Sequence, residues 1–190
     1  MRSHLFTTRF LLTILIGLTM SPGILVADGG TTHPRRHPAA ERMALAQLLL
    51  RHHGVRLLDY HVSGVRDDAS AKRNLTQSAE GRPAKLSYYG NAPGGAVKLD
   101  LRMLRALLIL AYEGYEFRIT ELAGGSHSST SRHYAGVAFD VDHLDGVKIR
   151  RGHPTYRDFL NRCRELGATE LFGPGHRGHA SHLHVAWPRK

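Results

Sequence analysis

Residues 131–142 read SRHYAGVAFDVD, and their alternation leaves few ways to fold. On a strand, residues two apart share a face, so Val137, Phe139 and Val141 turn toward apolar packing while Ala138, Asp140 and Asp142 turn the other way. A second run, SHLHVAW at 181–187, repeats the pattern: Leu183, Val185 and Trp187 on one face, His182 and His184 on the other. If the two strands are neighbours, Asp140 and His184 converge. His133, at the end of a Ser- and Gly-rich loop, then completes a set of two imidazoles and one carboxylate. That is the ligand count of a catalytic zinc site, which keeps one coordination position for water. Two nitrogens and one oxygen suit Zn²⁺ better than Ca²⁺ or Mg²⁺. The bland alternative is a strand with one wet face.

The rest of the chain supplies a frame for these strands. Residues 39–53 carry Met43, Leu45, Leu48, Leu49 and Leu50 with helical spacing, and Gly54 ends the run. Residues 66–97 are polar and rich in Gly, Asn and Ser, and read as a long irregular region. Asp100 is placed to cap a helix over LRMLRALLILAYEG, which is apolar on most sides and therefore central. Residues 115–122 alternate as a strand, and 124–133 form a loop. Thr155 and Asp158 resemble a capping box for a helix over 156–166, which Gly167 stops, with Cys163 on its apolar side as a packed thiol. Helices and strands mixed without regular alternation predict an α+β domain, an antiparallel sheet with helices packed on it.

Beyond the ligand geometry, the pattern S-x-H-x-x-G-x-A-x-D at Ser131, His133, Gly136, Ala138 and Asp140, followed by His182-x-His184, resembles the zinc D-Ala-D-Ala carboxypeptidases and dipeptidases and the related penicillin-insensitive murein endopeptidases. The likeness is strongest over about 115–187. It implies a hedgehog/DD-peptidase-like fold, zinc held by His133, Asp140 and His184, and His182 beside the metal handling protons. His179 matches a further histidine of the endopeptidase branch. Members of the group usually carry an arginine in the loop before the first motif. Here that stretch, ELAGGSHSST, has none until Arg132. Ser131, Arg132 and His127 are the residues expected to hold substrate, with Arg118 a further candidate for the arginine's part. The implied activity is hydrolysis of peptidoglycan stem peptides or cross-links. The alternatives are a non-catalytic zinc-stabilised binding domain and a zinc peptidase acting on other exported peptides. Glu121 and His127 lie close enough to the motif to orient ligands, Asp142 sits one pleat beyond it, and His143, His153 and His176 read as exposed.

Export fits that substrate. Arg2 and Arg9 precede the apolar run Phe10–Met20, a break at Ser21-Pro22-Gly23, and small residues up to Ala27, which is the layout of a secretory signal peptide over 1–27. Residues 28–38, DGGTTHPRRHP, read as a linker, and 39–190 as the peptidase domain, with its motif-bearing core at 99–190. The apolar run is short for a membrane span, so no stable insertion is expected after processing. With Cys163 the only cysteine, no intramolecular disulfide staples the domain. Without Arg2 and Arg9, 24 basic residues face 16 acidic ones, a net charge of +8. Such a chain is drawn to polyanions, wall polymers among them. The charges are scattered, with no basic and aromatic run marking a nucleic-acid groove.

Overall fold

The computed structural model describes residues 37–189. The expected signal segment and all of the linker except His37 and Pro38 lie outside them. The described part is mixed, with four α-helices and a mixed sheet, which is compatible with the α+β expectation.

Helix α1 (Pro38–Arg51) starts one residue before the expected point. Proline suits the first turn of a helix, where no N–H is needed, and the His37 side chain accepts the Ala39 N–H. Strand β1 (Val55–Leu57) follows, then α2 (Ala71–Ala79) and a two-stranded ribbon of β2 (Ala84–Lys85) and β3 (Ala96–Val97). The expectation of an irregular 66–97 is therefore corrected. Helix α2 escapes a hydrophobic pattern because Leu75 is its one large apolar residue. Its buried face is otherwise Asn74, Gln77, Ser78 and alanines, and Asn74 and Gln77 are paid in hydrogen bonds: the Asn74 amide donates to Lys85 O and Gln77 to Asp68 O. Ser70 caps the helix by accepting the Arg73 N–H.

Helix α3 (Leu101–Tyr112) is capped by Asp100, which accepts the Arg102 N–H at 2.7 Å. It buries Met103, Leu104, Ala106, Leu107, Leu110 and Ala111, as its composition predicts. Strands β4 (Phe117–Glu121), β5 (Ala138–Leu144) and β6 (Val147–Lys148) lead to α4 (Tyr156–Glu165), then β7 (Glu170–Phe172) and β8 (Leu183–Ala186). Thr155 stands at the α4 N-cap without a side-chain cap bond; its hydroxyl donates to Asp145 Oδ2 at 3.0 Å instead, so the capping box does not form.

The sheet runs β1-β4-β5-β8-β7, with β6 hairpinned onto β5. All its pairs are antiparallel except β1 with β4, which corrects the expected purely antiparallel sheet. Helix α1 packs on α2 and α3, α2 reaches β4, and α4 packs against β8. On α4, Tyr156, Phe159, Leu160 and Cys163 recur at helical spacing and are all buried. Phe159 centres the aromatic core: its ring lies 5.4 Å from Tyr115, 5.7 Å from Phe117 and 6.5 Å from Phe139. Phe159→Ala should lower stability by about 3–5 kcal/mol. Urea unfolding measures this, and the polar face of the sheet should be unaffected because the ring lies on the apolar side.

Candidate functional site

The strand pairing places the site. In the β5–β8 register Asp140 stands opposite His184, the convergence that the alternation of the two segments allows once they are neighbours. His133 arrives from a short 3-10 turn, His133–Ala135, that ends at Gly136. Gly136 has φ 67°, and a Cβ there would lie 2.7 Å from Lys98 O, so the turn into β5 needs glycine on both counts. His133, Asp140 and His184 are all buried.

His133 Nε2 lies 3.2 Å from Asp140 Oδ1 and 3.1 Å from His184 Nδ1, and His184 Nδ1 lies 2.9 Å from Asp140 Oδ1. The outer nitrogens are engaged: His133 Nδ1–H donates to Leu122 O at 2.7 Å, and His184 Nε2–H to Glu170 Oε1 at 3.0 Å. These partners assign the tautomers and turn two nitrogen lone pairs and a carboxylate oxygen toward one point. Facing lone pairs repel unless a cation or a proton lies between them. With protons on the inward nitrogens instead, the charge and hydrogen bonds of His133 and His184 outweigh burial, which would raise the Asp140 pKa, and hold it well below the usual carboxylate range.

His127 belongs to the same cluster. One ligand-capable atom each of His127, His133 and Asp140 lies within 4.8 Å of the others, a group that could hold a metal ion. The His127 ring stacks on His133, with centroids 4.1 Å apart and planes 9° apart. Its Nε2 donates to Gly124 O at 3.0 Å. Burial, then the neighbouring His133, depress its pKa to about 4, so the ring is neutral at ordinary pH.

Two adjoining hollows meet at this cluster, sharing His127, Asp140 and His182. The first, of about 660 Å³, is walled by Ser131, Arg132, Glu170, Phe172 and His179. The second, of about 280 Å³, is walled by Tyr89, Glu121, Asp142 and Ser181. His182 stands just before β8 with Nε2 4.0 Å from Asp140 Oδ2, and its ring is 4.9 Å from that of His179. Burial lowers its pKa, with Asp140 opposing. Arg132 reaches the first hollow, but its guanidinium is engaged by Glu170 Oε2 at 3.0 Å and Trp187 O at 2.8 Å. Arg118 is turned away, bound through two nitrogens to Asp142 at 2.8 and 2.6 Å. His176 is exposed as expected. His153 is not: it is buried, its Nε2 3.1 Å from Leu144 O and its Nδ1 accepting the Thr155 N–H.

Several supporting residues were not visible in the sequence. Glu170 lies on a strand of three residues, too short to show alternation. Tyr134 pins the loop before the motif: its hydroxyl accepts the His127 N–H at 2.7 Å. The segment 58–87 reaches the site wall through His61, Asp67 and Ser87. Gly124 makes that approach possible, since a Cβ on it would overlap Ala69 O. Comparison with protein-family models, with curated proteins and with solved structures found no match for this chain.

Proposed function

We propose that this chain is a zinc-dependent peptidase acting on bacterial cell-wall peptides, of the D-Ala-D-Ala carboxypeptidase or murein endopeptidase type, with a hedgehog/DD-peptidase-like fold. The observation that carries the reading is the triangle of His133 Nε2, Asp140 Oδ1 and His184 Nδ1, with sides of 2.9–3.2 Å, at the junction of two open hollows. Ligand atoms on a tetrahedral zinc at 2.0–2.1 Å stand about 3.3 Å apart, so the donor set fits the ion closely. His184 suits this set better than His127. A coordinating imidazole has the metal near its own plane, and the His127 plane is parallel to that of His133 and offset from it by stacking. Glu170 on His184 and Leu122 O on His133 are the outer partners such ligands need.

A zinc ion held there supplies Lewis acidity, polarising the scissile carbonyl and acidifying water. The chain's own residues do the rest. His182, neutral and at the mouth of both hollows, takes the proton of the attacking water and returns it to the leaving amine. His179 packs on its ring and keeps it at that mouth. Ser131, Arg132 and His127 line the first hollow and hold the peptide there.

A binding module without turnover is the second reading, favoured by the internal engagement of Arg132, which leaves its guanidinium occupied by Glu170 and Trp187 O. Incubation of the zinc-loaded domain with purified peptidoglycan, followed by mass analysis of the soluble fragments, separates the two. Release of shortened or uncrosslinked stem peptides is expected; retention on the wall with no fragment released would establish the module. The substrate implies an exported protein, and N-terminal sequencing of secreted material should find processing near Ala27.

A further inference from the structure

Outside the metal cluster, His61 is a buried side chain held between two carboxylates. Its side chain is completely buried, yet both ring nitrogens face carboxylates. Nδ1–H donates to Glu121, 2.8 Å from Oε1 and 2.9 Å from Oε2, and Nε2–H donates to Asp67 Oδ1 at 2.7 Å. Burial alone would lower the pKa of this ring, but hydrogen bonds and charge from Glu121 and Asp67 raise it to about 9. His61 is thus an imidazolium at neutral pH, clamped at both ends. Buried charge of this kind is a poor source of stability compared with apolar packing of the same volume.

The clamp leads to the cleft. Asp67 is itself fixed by the Ala69 N–H, at 2.7 Å. Ser87 Oγ, 3.3 Å from His61 Nε2, accepts the Gly125 N–H at 3.0 Å and ties the same segment to the loop before the metal motif. Glu121 pairs with Asp140 across β4 and β5, so the two carboxylates are cross-strand neighbours. Two such anions side by side repel unless each has a cation. His61 serves Glu121, while Asp140 faces the metal cluster. Glu121 also stands on the wall of the second hollow, and the missing side chain of Gly125 opens the space between its carboxyl and the His127 ring. A carboxylate has about four acceptor sites, and His61 occupies only part of that capacity.

We propose that His61 is a positioning residue: held by Asp67, it fixes the Glu121 carboxylate on the wall of the second hollow, where Glu121 accepts an N–H of the bound peptide. The inference rests on the reading of the cleft as a peptide site. It gives a role to the segment 58–87, which the metal motif does not explain.

The test is steady-state kinetics on a soluble stem peptide with the zinc-loaded protein. Glu121→Gln keeps the shape of the side chain and removes its charge; Asp67→Asn does the same at the other end of the clamp, on a half-buried residue. Each should raise KM about tenfold or more, the loss expected of a hydrogen bond to a charged group, with kcat changed less than about threefold and zinc content unchanged. The double variant should be little worse than Glu121→Gln alone, because Asp67 acts only through His61 on the Glu121 carboxylate. His61→Asn should show the same KM effect in its folded fraction. Variants that melt earlier but keep the wild-type KM would reduce the clamp to a structural element and overturn the proposal. Failure of the peptidase reading looks different: the wild type itself then cleaves no stem peptide, and this inference falls with it.

Discussion

His184→Ala should empty the metal site. Wild-type domain, dialysed against trace zinc and analysed for metal, should carry about one equivalent per chain, and the variant less than about a tenth of that. The reason is geometric. His184 Nδ1 is the closest partner of Asp140 Oδ1, at 2.9 Å, and without it two ligands remain on the His133 side. The loss should exceed the 10–100-fold weakening that follows removal of an outer partner, and Glu170→Ala, which leaves the ligand in place but removes the acceptor of its Nε2–H, provides that smaller step for comparison. His127→Ala decides between the two possible triads. If His127 only stacks on His133, zinc content is retained and affinity shifts modestly; if it is a ligand, its variant empties the site and His184→Ala does not. Retention of a full equivalent in both variants would remove the metal reading of Asp140 altogether. Hydrolysis of wall peptides should vanish with the metal, since the polarising ion is gone.

What could be read beforehand follows the range over which each signal acts. The two faces of β5 and of β8 were legible because alternation is local, and a one-residue slip would have sent Val141 or Leu183 to the polar face, whereas the adjacency of the strands came only with the fold. Asp140 opposite His184 follows from that alternation once the strands are adjacent. Asp100 as a cap and the apolar α3 were legible for the same reason, being set by neighbours a few residues apart. Helix α2 was not. Its buried face is made of Asn74, Gln77 and Ser78, and polar residues enter a core only through partners distant in sequence, here Lys85 O and Asp68 O for the first two. His153 was misjudged in the same way, since nothing near it in the chain announces that it will close over Leu144 O. The parallel pairing of β1 with β4 brings together residues more than 60 apart, Val55 with Phe117, and three residues of strand carry no pattern. Around the site, Asp140 and His184 stand on strands with a period and could be found, and His133 through its spacing from Asp140. Glu170, Tyr134 and His61 act through single long-range contacts, so only the folded chain reveals them.

His182→Ala should leave the metal in place and remove most of the turnover. The side chain precedes β8 by one residue, on the face of His184, with Nε2 4.0 Å from Asp140 Oδ2, beyond direct bonding distance to that ligand. It lines both hollows, so any peptide crossing from one to the other passes it. Burial lowers its pKa, which keeps the ring unprotonated and able to accept a proton near neutral pH. A positioned general base of this kind contributes a factor of about 10² to 10⁴ in rate. The expected result is therefore a drop of that size in kcat on a stem peptide, with zinc content and urea midpoint close to wild type. His179→Ala, which removes only the ring packed beside it, should cost far less. Loss of zinc from the His182 variant would make it a ligand and displace His184 from the triad. Full activity would pass the proton to another group on the same wall, such as Glu121, the cross-strand partner of Asp140, and the Glu121→Gln variant would then lower kcat and not only raise KM.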